Sequence, residues 1–152
     1  MLRATQRLDS HHRHDTVSDA RDDAAGTLTL PFELRQKSRL RTQLDDGREV
    51  ALVLSRGPVL RDGDRLRTED GTVLRVRSAP EDVSTARSKD ALQLARACYH
   101  LGNRHVPLQI GDGWLRYARD HVLDAMVREL GLEIVPESVP FEPEGGAYGH
   151  GH

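Results

Sequence analysis

Histidine is the residue type in this chain whose placement points to chemistry. The sequence has eight histidines and a single cysteine, Cys98, so a thiolate metal cluster within one chain is excluded. Imidazole nitrogens bind borderline divalent ions such as Ni(II), Cu(II) and Zn(II). The histidines fall into a leader group, a central group and a terminal pair: His11, His12 and His14; His100, His105 and His121; His150 and His152.

His105 is the strongest candidate ligand among them. It follows Gly102-Asn103-Arg104, where a predicted helix ends and a predicted strand begins, so its ring would lie at the rim of a packed element. A lone histidine cannot complete the coordination of an ion, and such a residue is more often structural. A two-fold dimer would present the same imidazole twice, and one ion could then bind between two copies of His105. Asn103 and Arg104 would orient the loop that carries it.

The terminal pair and the leader group are on segments without a regular pattern. His150 and His152 lie on a glycine-containing tail that could fold back and complete the coordination of an ion held by His105, although an expression tag or a random tail would look similar. The leader histidines could bind a divalent ion weakly, and solvated chain without a selected role is the preferred interpretation.

The other two central histidines are weaker candidates. His121 lies next to Asp120 in the first turn of a second predicted helix, on the side of Asp124 and Arg128. His100 falls in the last turn of the first predicted helix, where a cation is favoured by the helix C-terminus. We interpret His100 as stabilising the helix end, with a metal role as the alternative.

The elements that must position these residues divide the chain into four parts. Residues 1–26 are polar, and we expect them to be disordered. Residues 27–79 carry alternating apolar positions between turn signals and predict a small antiparallel β-domain. Residues 80–140 predict a β-α-β-β-α-β order, which is the ferredoxin-like arrangement. Residues 141–152 are rich in Pro, Glu and Gly and predict a flexible tail.

Two helices of the 80–140 segment are predicted from their apolar spacing. Ser88 is the expected N-cap of the first, and Gly102 is expected to end it. Its buried face is predicted to contain Ala91, Leu94, Ala95, Cys98 and Leu101. Asp120 is expected to cap the second helix, Gly131 to end it, and its apolar stripe to contain Leu123, Met126, Val127 and Leu130. Strands are predicted at 83–87, 106–110, 114–118 and 132–135.

The bulk properties exclude several classes of function. The formal charge of −2 gives no electrostatic footprint for nucleic acid or for an anionic membrane. Neither a signal peptide nor an apolar span of transmembrane length is visible, so we expect a soluble cytoplasmic protein. The phosphate-binding, dinucleotide-binding and zinc-protease motifs are also missing, and we predict that the protein is not an enzyme.

Two separated stretches resemble the UreE family of urease accessory proteins, which are nickel metallochaperones. They are Ala97-Cys98-Tyr99-His100-Leu101-Gly102-Asn103-Arg104-His105-Val106-Pro107-Leu108-Gln109 and Phe141-Glu142-Pro143-Glu144-Gly145-Gly146-Ala147-Tyr148-Gly149. The resemblance implies Ni(II) as the cargo, a homodimer with His105 at its interface, and a ferredoxin-like second domain. It also implies the accessory GTPase UreG and the urease apoprotein complex as partners. The preference for nickel rests on the family alone, because Zn(II) or Cu(II) would compete for the same imidazoles.

The same resemblance qualifies other parts of the chain. Some relatives have a histidine pair at the positions of Arg119 and His121, and the arginine removes half of that peripheral site. The first domain of the family is associated with peptide binding, and an edge of the predicted β-domain could bind an extended peptide by strand addition, or the domain could be a scaffold. Two other functions stay open. One is a peptide-binding or protein-interaction module with incidental histidines, and the other is a nucleic-acid-binding α+β domain that uses its arginines.

Overall fold

The computed structural model describes residues 1–8 and 24–145. The chain divides into two units, the first ending at Ser78 and the second beginning at Ala79. The described residues form two sheets and three helices, which confirms the α+β class that the predicted β-domain and the predicted β-α-β-β-α-β segment together imply. No helix within those two ranges is long and apolar enough to cross a lipid bilayer.

The first unit is built on a six-stranded sheet. Its elements are β1 (Leu2–Arg7), β2 (Gly26–Leu30), α1 (Phe32–Arg35), β3 (Arg39–Gln43), β4 (Glu49–Val53), β5 (Arg65–Thr68) and β6 (Val73–Ser78). The strand order is β2-β6-β5-β1-β4-β3. Alternate positions along these strands are buried, because successive side chains of a strand point to opposite faces. The buried set includes Leu28, Val50, Leu66 and Leu74, which belong to one hydrophobic core.

Two expectations for this part of the chain are wrong. Leu2–Arg7 is a strand and not disordered leader; it pairs with β4 in parallel and with β5 in antiparallel orientation, and the apolar Ala4 is buried between them. The sheet is mixed and not antiparallel, since β2 also runs parallel to β6. Turn signals predict only hairpin pairs, whereas parallel pairs join strands that are distant in sequence. The segment that contains His11, His12 and His14 lies outside the described residues.

The second unit contains a four-stranded antiparallel sheet and two helices. Its elements are β7 (Pro80–Arg87), α2 (Ala91–Asn103), β8 (Gln109–Gly111), β9 (Trp114–Ala118), α3 (His121–Glu129) and β10 (Glu133–Pro140). The strand order is β10-β7-β9-β8, so β10 and β8 form the two edges. Both helices contribute to one core with the sheet, through Ala97 and Leu101 of α2 and Leu123 and Val127 of α3.

The ends of the helices partly confirm the sequence analysis. Asp120 caps α3 by accepting hydrogen bonds from the backbone N–H groups of Val122 and Leu123, as predicted. The cap of α2 is Asp90, and Ser88 instead accepts a hydrogen bond from the Asp90 N–H. Helix α2 continues through Gly102 to Asn103, so the prediction that this glycine ends the helix is wrong.

The buried face of α2 also differs from the predicted one. Ala91 and Ala95 are exposed, and the face that packs into the core is formed by Leu94, Ala97, Cys98 and Leu101. The predicted strand at 106–110 is shorter and later, since β8 begins at Gln109. The four residues that follow Arg104 instead form the connection that carries His105.

Candidate metal site around His105

His105 has an unusual backbone conformation at the end of α2. Among the described residues it is the one non-glycine residue with a positive φ, at 60°. Its N–H donates to the carbonyl of Gly102 at 3.0 Å, and the N–H of Val106 donates to the carbonyl of Leu101 at 3.3 Å. This pair of bonds is the Schellman motif, in which a left-handed residue reverses the chain after a helix. His105 therefore occupies the position that helices usually give to glycine.

Helix α3 shows the usual form of the same motif. Gly131 has a φ of 96°, its N–H donates to the carbonyl of Arg128 at 2.9 Å, and the N–H of Leu132 donates to the carbonyl of Val127 at 3.4 Å. The two helices of this unit thus end in the same way, with glycine after α3 and histidine after α2. A left-handed L residue costs about 1 kcal/mol or more. Histidine is among the residues that tolerate this conformation better than most.

The position keeps the imidazole outside the core while its neighbours are inside it. His105 is exposed, whereas Leu101 is fully buried and Val106 packs against the same core. The backbone at residue 105 is therefore fixed from both sides by apolar packing and by the two hydrogen bonds of the motif. A side chain presented at a fixed place on the surface is suited to bind an ion, and backbone strain of this kind is concentrated at functional sites.

Of the other candidate ligands, the structure describes His100 and His121. His100 is exposed in the last turn of α2, with its ring edge-to-face against Tyr99 at 5.2 Å between centroids. His121 is exposed in the first turn of α3. Within 1–8 and 24–145, no group of three or more His, Cys, Asp or Glu side chains is arranged to hold a metal ion. His150 and His152, like the leader histidines, lie outside the described residues.

A segment after β10, which we call the strap (residues 141–145), leads the chain toward His105. Phe141 at its start is 2% exposed. The N–H of Glu142 then donates to Oε1 of Gln109 at 2.9 Å, and the N–H of Glu144 donates to the carbonyl of Leu108 at 2.8 Å. Strands β10 and β8 are the two opposite edges of the sheet. The strap therefore runs from the end of β10 at one edge to the start of β8 at the other. It ends beside Leu108, three positions after His105.

Cys98 lies close to the strap but does not offer a thiolate. Burial raises the pKa of its thiol, and the charge of Glu144 raises the pKa further. A raised pKa keeps the thiol protonated at neutral pH, and the protonated form is a poor metal ligand. Cys98 packs against the core of the second unit, in agreement with its predicted place on the buried face of the helix.

Two polar clusters connect elements of the second unit, one between the sheet and α3 and the other between strands of the sheet. The hydroxyl of Tyr117 donates to Asp124 at 2.6 Å, and burial followed by this hydrogen bond raises the pKa of Tyr117. Asp124 is 8% exposed, although the sequence analysis placed it on the same side of the helix as the exposed His121. On the sheet, Arg116 bonds both Thr85 at 2.9 Å and Glu137 at 3.2 Å, which links β9, β7 and β10.

Comparison with known proteins matches the two units to two family models. Residues 4–79 match the UreE urease accessory protein N-terminal domain, and residues 81–152 match its C-terminal domain. The chain belongs to the UreE family of urease accessory proteins. Three relatives named urease accessory protein UreE illustrate the similarity. The protein from Alkalilimnicola ehrlichii is 69% identical over 83% of this chain and 77% of its own length. The protein from Enterobacter sp. (strain 638) is 52% identical over 97% of this chain and 91% of its own length. The protein from Pseudomonas putida (strain GB-1) is 59% identical over 84% of this chain and 80% of its own length.

In this UreE family member, two features of the site were not found from the sequence. One is the left-handed backbone at His105, and the other is the strap. A signal for the first does exist, because Leu101 and Val106 have the same spacing around His105 as Val127 and Leu132 have around Gly131. The apolar residues of a Schellman motif are placed in this way. Gly102 obscured the signal, since a glycine suggests an earlier helix end.

Proposed function

We propose that this chain is a homodimeric nickel metallochaperone that binds Ni(II) between two copies of His105 and delivers it for assembly of the urease active site. The observation that carries the proposal is the left-handed conformation of His105, with φ at 60°. Glycine would satisfy the helix end at lower cost, as it does after α3. The presence of an exposed and fixed imidazole instead of glycine is explained if the imidazole itself is required to bind the ion.

An exposed apolar stripe on α2 supports the dimer. Leu92 is 57% exposed and Tyr99 is 65% exposed, with Ala95 between them on the same side of the helix. Side chains of this size are normally covered in a folded protein when they lie together on one face. The helix that carries the stripe ends at His105, so an isologous contact along α2 would bring two copies of the imidazole toward one axis.

The strap supports the participation of His150 and His152. Its last described residue, Gly145, follows the hydrogen bond between Glu144 and Leu108. Five further residues reach His150, and an extended chain covers at most about 3.5 Å per residue, or ~17 Å in total. Leu108 is three residues from His105, so the tail starts within that range of the ion. Two terminal histidines suit delivery of a single ion more than storage of several ions.

The remaining parts of the proposal follow from family membership. The relatives are named urease accessory proteins, and we propose that this chain passes nickel to the urease apoprotein together with the accessory GTPase UreG, in the cytoplasm. Imidazole donors fit Ni(II), and they also fit Zn(II) and Cu(II), which would compete. Asn103 and Arg104 would position the loop, and His100, His121 and the leader histidines would bind metal at most weakly.

We further propose a division of labour between domains. The second unit would be a ferredoxin-like domain for dimerisation and metal binding, supported by its β-α-β-β-α-β element order and its strand order β10-β7-β9-β8. The first unit would bind a protein partner. The edge strand β3 of its sheet supports this role, because the edge of a sheet can accept an extended peptide. The other edge strand, β2, is partly occupied, since the carbonyl of Thr27 accepts a hydrogen bond from the N–H of Asp45.

Calorimetric titration with Ni(II), combined with light scattering, tests the central site. We expect the wild type to be a dimer, and we expect His105→Ala to lose the strongest class of nickel sites. Unchanged nickel affinity in that variant would favour the alternative function, a protein-interaction module with incidental histidines. A strict monomer in the presence of nickel would also refute the shared site.

The stripe has a matched control on the other helix. Val122 of α3 is 55% exposed, similar to Leu92 of α2. Leu92→Gln is expected to shift the protein toward monomer and to weaken nickel binding, because it removes apolar contact at the proposed interface. Val122→Gln should change neither property. Equal effects of the two substitutions would contradict an interface along α2.

A further inference from the structure

Four Asp-Gly pairs form turns in the described part of the chain, and this dipeptide can rearrange without an enzyme. The nitrogen of the glycine can attack the side-chain carboxyl group of the aspartate, because glycine has no side chain that would shield its nitrogen. The reaction requires a carboxyl group that is free to rotate and a glycine N–H that no acceptor holds. The pairs are Asp46-Gly47, Asp62-Gly63, Asp70-Gly71 and Asp112-Gly113.

In the first three pairs, the carboxylate is held by hydrogen bonds. Asp46 accepts from the backbone N–H and from the guanidinium of Arg48, at 3.0 and 2.9 Å. Asp62 accepts from the N–H of Ser78 at 2.8 Å. Asp70 accepts three hydrogen bonds within its own turn, and these lower its pKa to about 2. Each of these carboxylates must break its hydrogen bonds before it can turn toward the nitrogen of the next residue.

The glycine N–H groups of the same three pairs are also engaged, each with a backbone carbonyl. A hydrogen-bonded N–H must give up its acceptor before its nitrogen can react. In the folded protein this requires a local opening of the turn. The three hydrogen bonds run from Gly47 to Leu44 at 2.9 Å, from Gly63 to Val76 at 2.8 Å and from Gly71 to Thr68 at 3.0 Å.

The fourth pair, Asp112-Gly113, differs from the others in both respects. Asp112 is exposed, and its carboxylate has no hydrogen bond or ion pair with residues 1–8 or 24–145. The N–H of Gly113 likewise donates to no backbone carbonyl within those ranges. The carbonyl of Gly113 accepts a hydrogen bond from the N–H of Ser88 at 3.1 Å. The turn is therefore ordered, while the two groups that react are free.

We propose that Asp112 is a modification site, at which the chain isomerises spontaneously to isoaspartate. The nitrogen of Gly113 attacks the protonated carboxyl group of Asp112, a C–N bond forms, and the hydroxyl leaves with the amide proton as water. Water then adds to the main-chain carbonyl of the resulting succinimide and breaks the bond of that carbonyl to the nitrogen. The chain afterwards runs through the side chain of residue 112, and the α-carboxylate is free. The reaction consumes no oxidant or reductant.

Isoaspartate at this position loosens one edge of the sheet in the second unit. The pair is the two-residue loop between β8 and β9, and its flanking residues Gly111 and Trp114 are partners in the register. Isoaspartate lengthens the main chain of the loop by one atom, so the loop no longer matches this register. Strand β8 has three residues and lies at the edge, and the strap is bonded to its first residue, Gln109. The modification therefore also weakens the attachment of the strap.

Peptide mapping of the full chain, aged at neutral pH, tests the proposal. Trypsin places the four Asp-Gly pairs on different peptides, because arginines lie between them. Mass spectrometry, with enzymatic methylation of the freed α-carboxyl group, measures isoaspartate in each peptide. We expect isoaspartate to form at Asp112 about tenfold faster than at the other three sites, which must first break their hydrogen bonds. The same chain aged in urea is the control, because the unfolded sites have the same dipeptide and should react at similar rates.

The variant Asp112→Glu tests the effect on the sheet. Glutamate keeps the charge, but attack on its longer side chain would form a six-membered ring, which is much slower. Hydrogen exchange at the N–H of Glu144, which is bonded to the carbonyl of Leu108, should become faster as the wild type ages and stay constant in the variant. Equal rates of isoaspartate formation at the four sites of the folded protein, or a higher rate at a site other than Asp112, would overturn the proposal. Equal changes in exchange in the two proteins would refute the effect on the strap.

Discussion

The substitution His105→Gly separates the stability of the fold from its function. The residue has a φ of 60° at the end of α2, and glycine adopts this conformation without a steric penalty. Both hydrogen bonds of the Schellman motif come from backbone groups, so they remain in the variant. We therefore expect a protein that is more stable in the absence of metal and that has lost its main nickel site.

The magnitude follows from two opposing effects. Removing Cβ from a left-handed residue relieves about 1–2 kcal/mol. Glycine also has greater freedom in the unfolded chain, which costs about 0.5–1 kcal/mol. The free energy of unfolding should rise by about 0.5–1 kcal/mol. His105→Ala retains a Cβ and the strain, so its stability should stay close to that of the wild type while its nickel site is lost equally.

Urea unfolding of metal-free protein measures this difference. The chain has one tryptophan, Trp114, and it lies in β9 of the second unit, so its fluorescence reports the unit that contains His105. Gly131→Ala provides a control of opposite sign after α3. It introduces strain at a φ of 96° and places a Cβ 2.2 Å from Nε2 of Gln93, so it should destabilise the unit by more than ~1 kcal/mol.

Two outcomes would refute the reasoning about His105. If His105→Gly were less stable than His105→Ala, the left-handed conformation would not be a source of strain. If His105→Gly bound nickel as the wild type does, the imidazole would not be the ligand, and its place at the helix end would need another explanation. A gain in stability together with a loss of nickel binding supports a residue retained for function at a cost in stability.

Three further predictions concern metal binding and acid stability. Nickel affinity should fall as the pH is lowered from 8 to 5.5, because a ligating imidazole must be neutral and histidine ordinarily protonates near pH ~6.5. Calorimetric titration at several pH values measures this affinity. An affinity that does not change with pH would argue against histidine ligation. Gln109→Ala should weaken nickel binding in the full chain, because it releases the strap. The same substitution should have little effect in a chain that ends at Gly145, because that chain already lacks the tail histidines. Equal losses of nickel affinity in the two chains would indicate a general structural effect. The hydrogen bond from Thr85, with Arg116 nearby, lowers the pKa of Glu137 in the folded state. The ionised Glu137 therefore stabilises the fold at pH values above its pKa in the unfolded chain. This stabilisation is lost as the pH falls through its pKa in the folded state. Urea midpoints measured from pH 6 to 3 should therefore fall less steeply in Glu137→Gln than in the wild type, and parallel curves would contradict this role.

Periodic patterns in the sequence predicted much of the fold correctly. The strands from Gly26 to Ser78, both main helices and the element order of the second unit follow from apolar spacing and turn signals. Asp120 and Gly131 act at the ends of α3 as predicted, because caps depend on the local chain. The sequence-based predictions are wrong where contacts between residues distant in sequence determine the secondary structure. Leu2–Arg7 has few apolar residues, and it becomes a strand because β4 and β5 offer backbone partners on both sides.

The sequence by itself determined which side chains could bind a metal, since imidazole chemistry and the motif around His105 are local properties. Only the tertiary structure decided how that histidine is presented, because its left-handed backbone depends on the packing of Leu101 and Val106 in a core formed with the sheet. The strap likewise depends on strand order, because its hydrogen bonds join residues that follow β10 to residues at the start of β8. A pattern along the chain predicts what a residue can do, while pairing between distant strands decides what lies beside it.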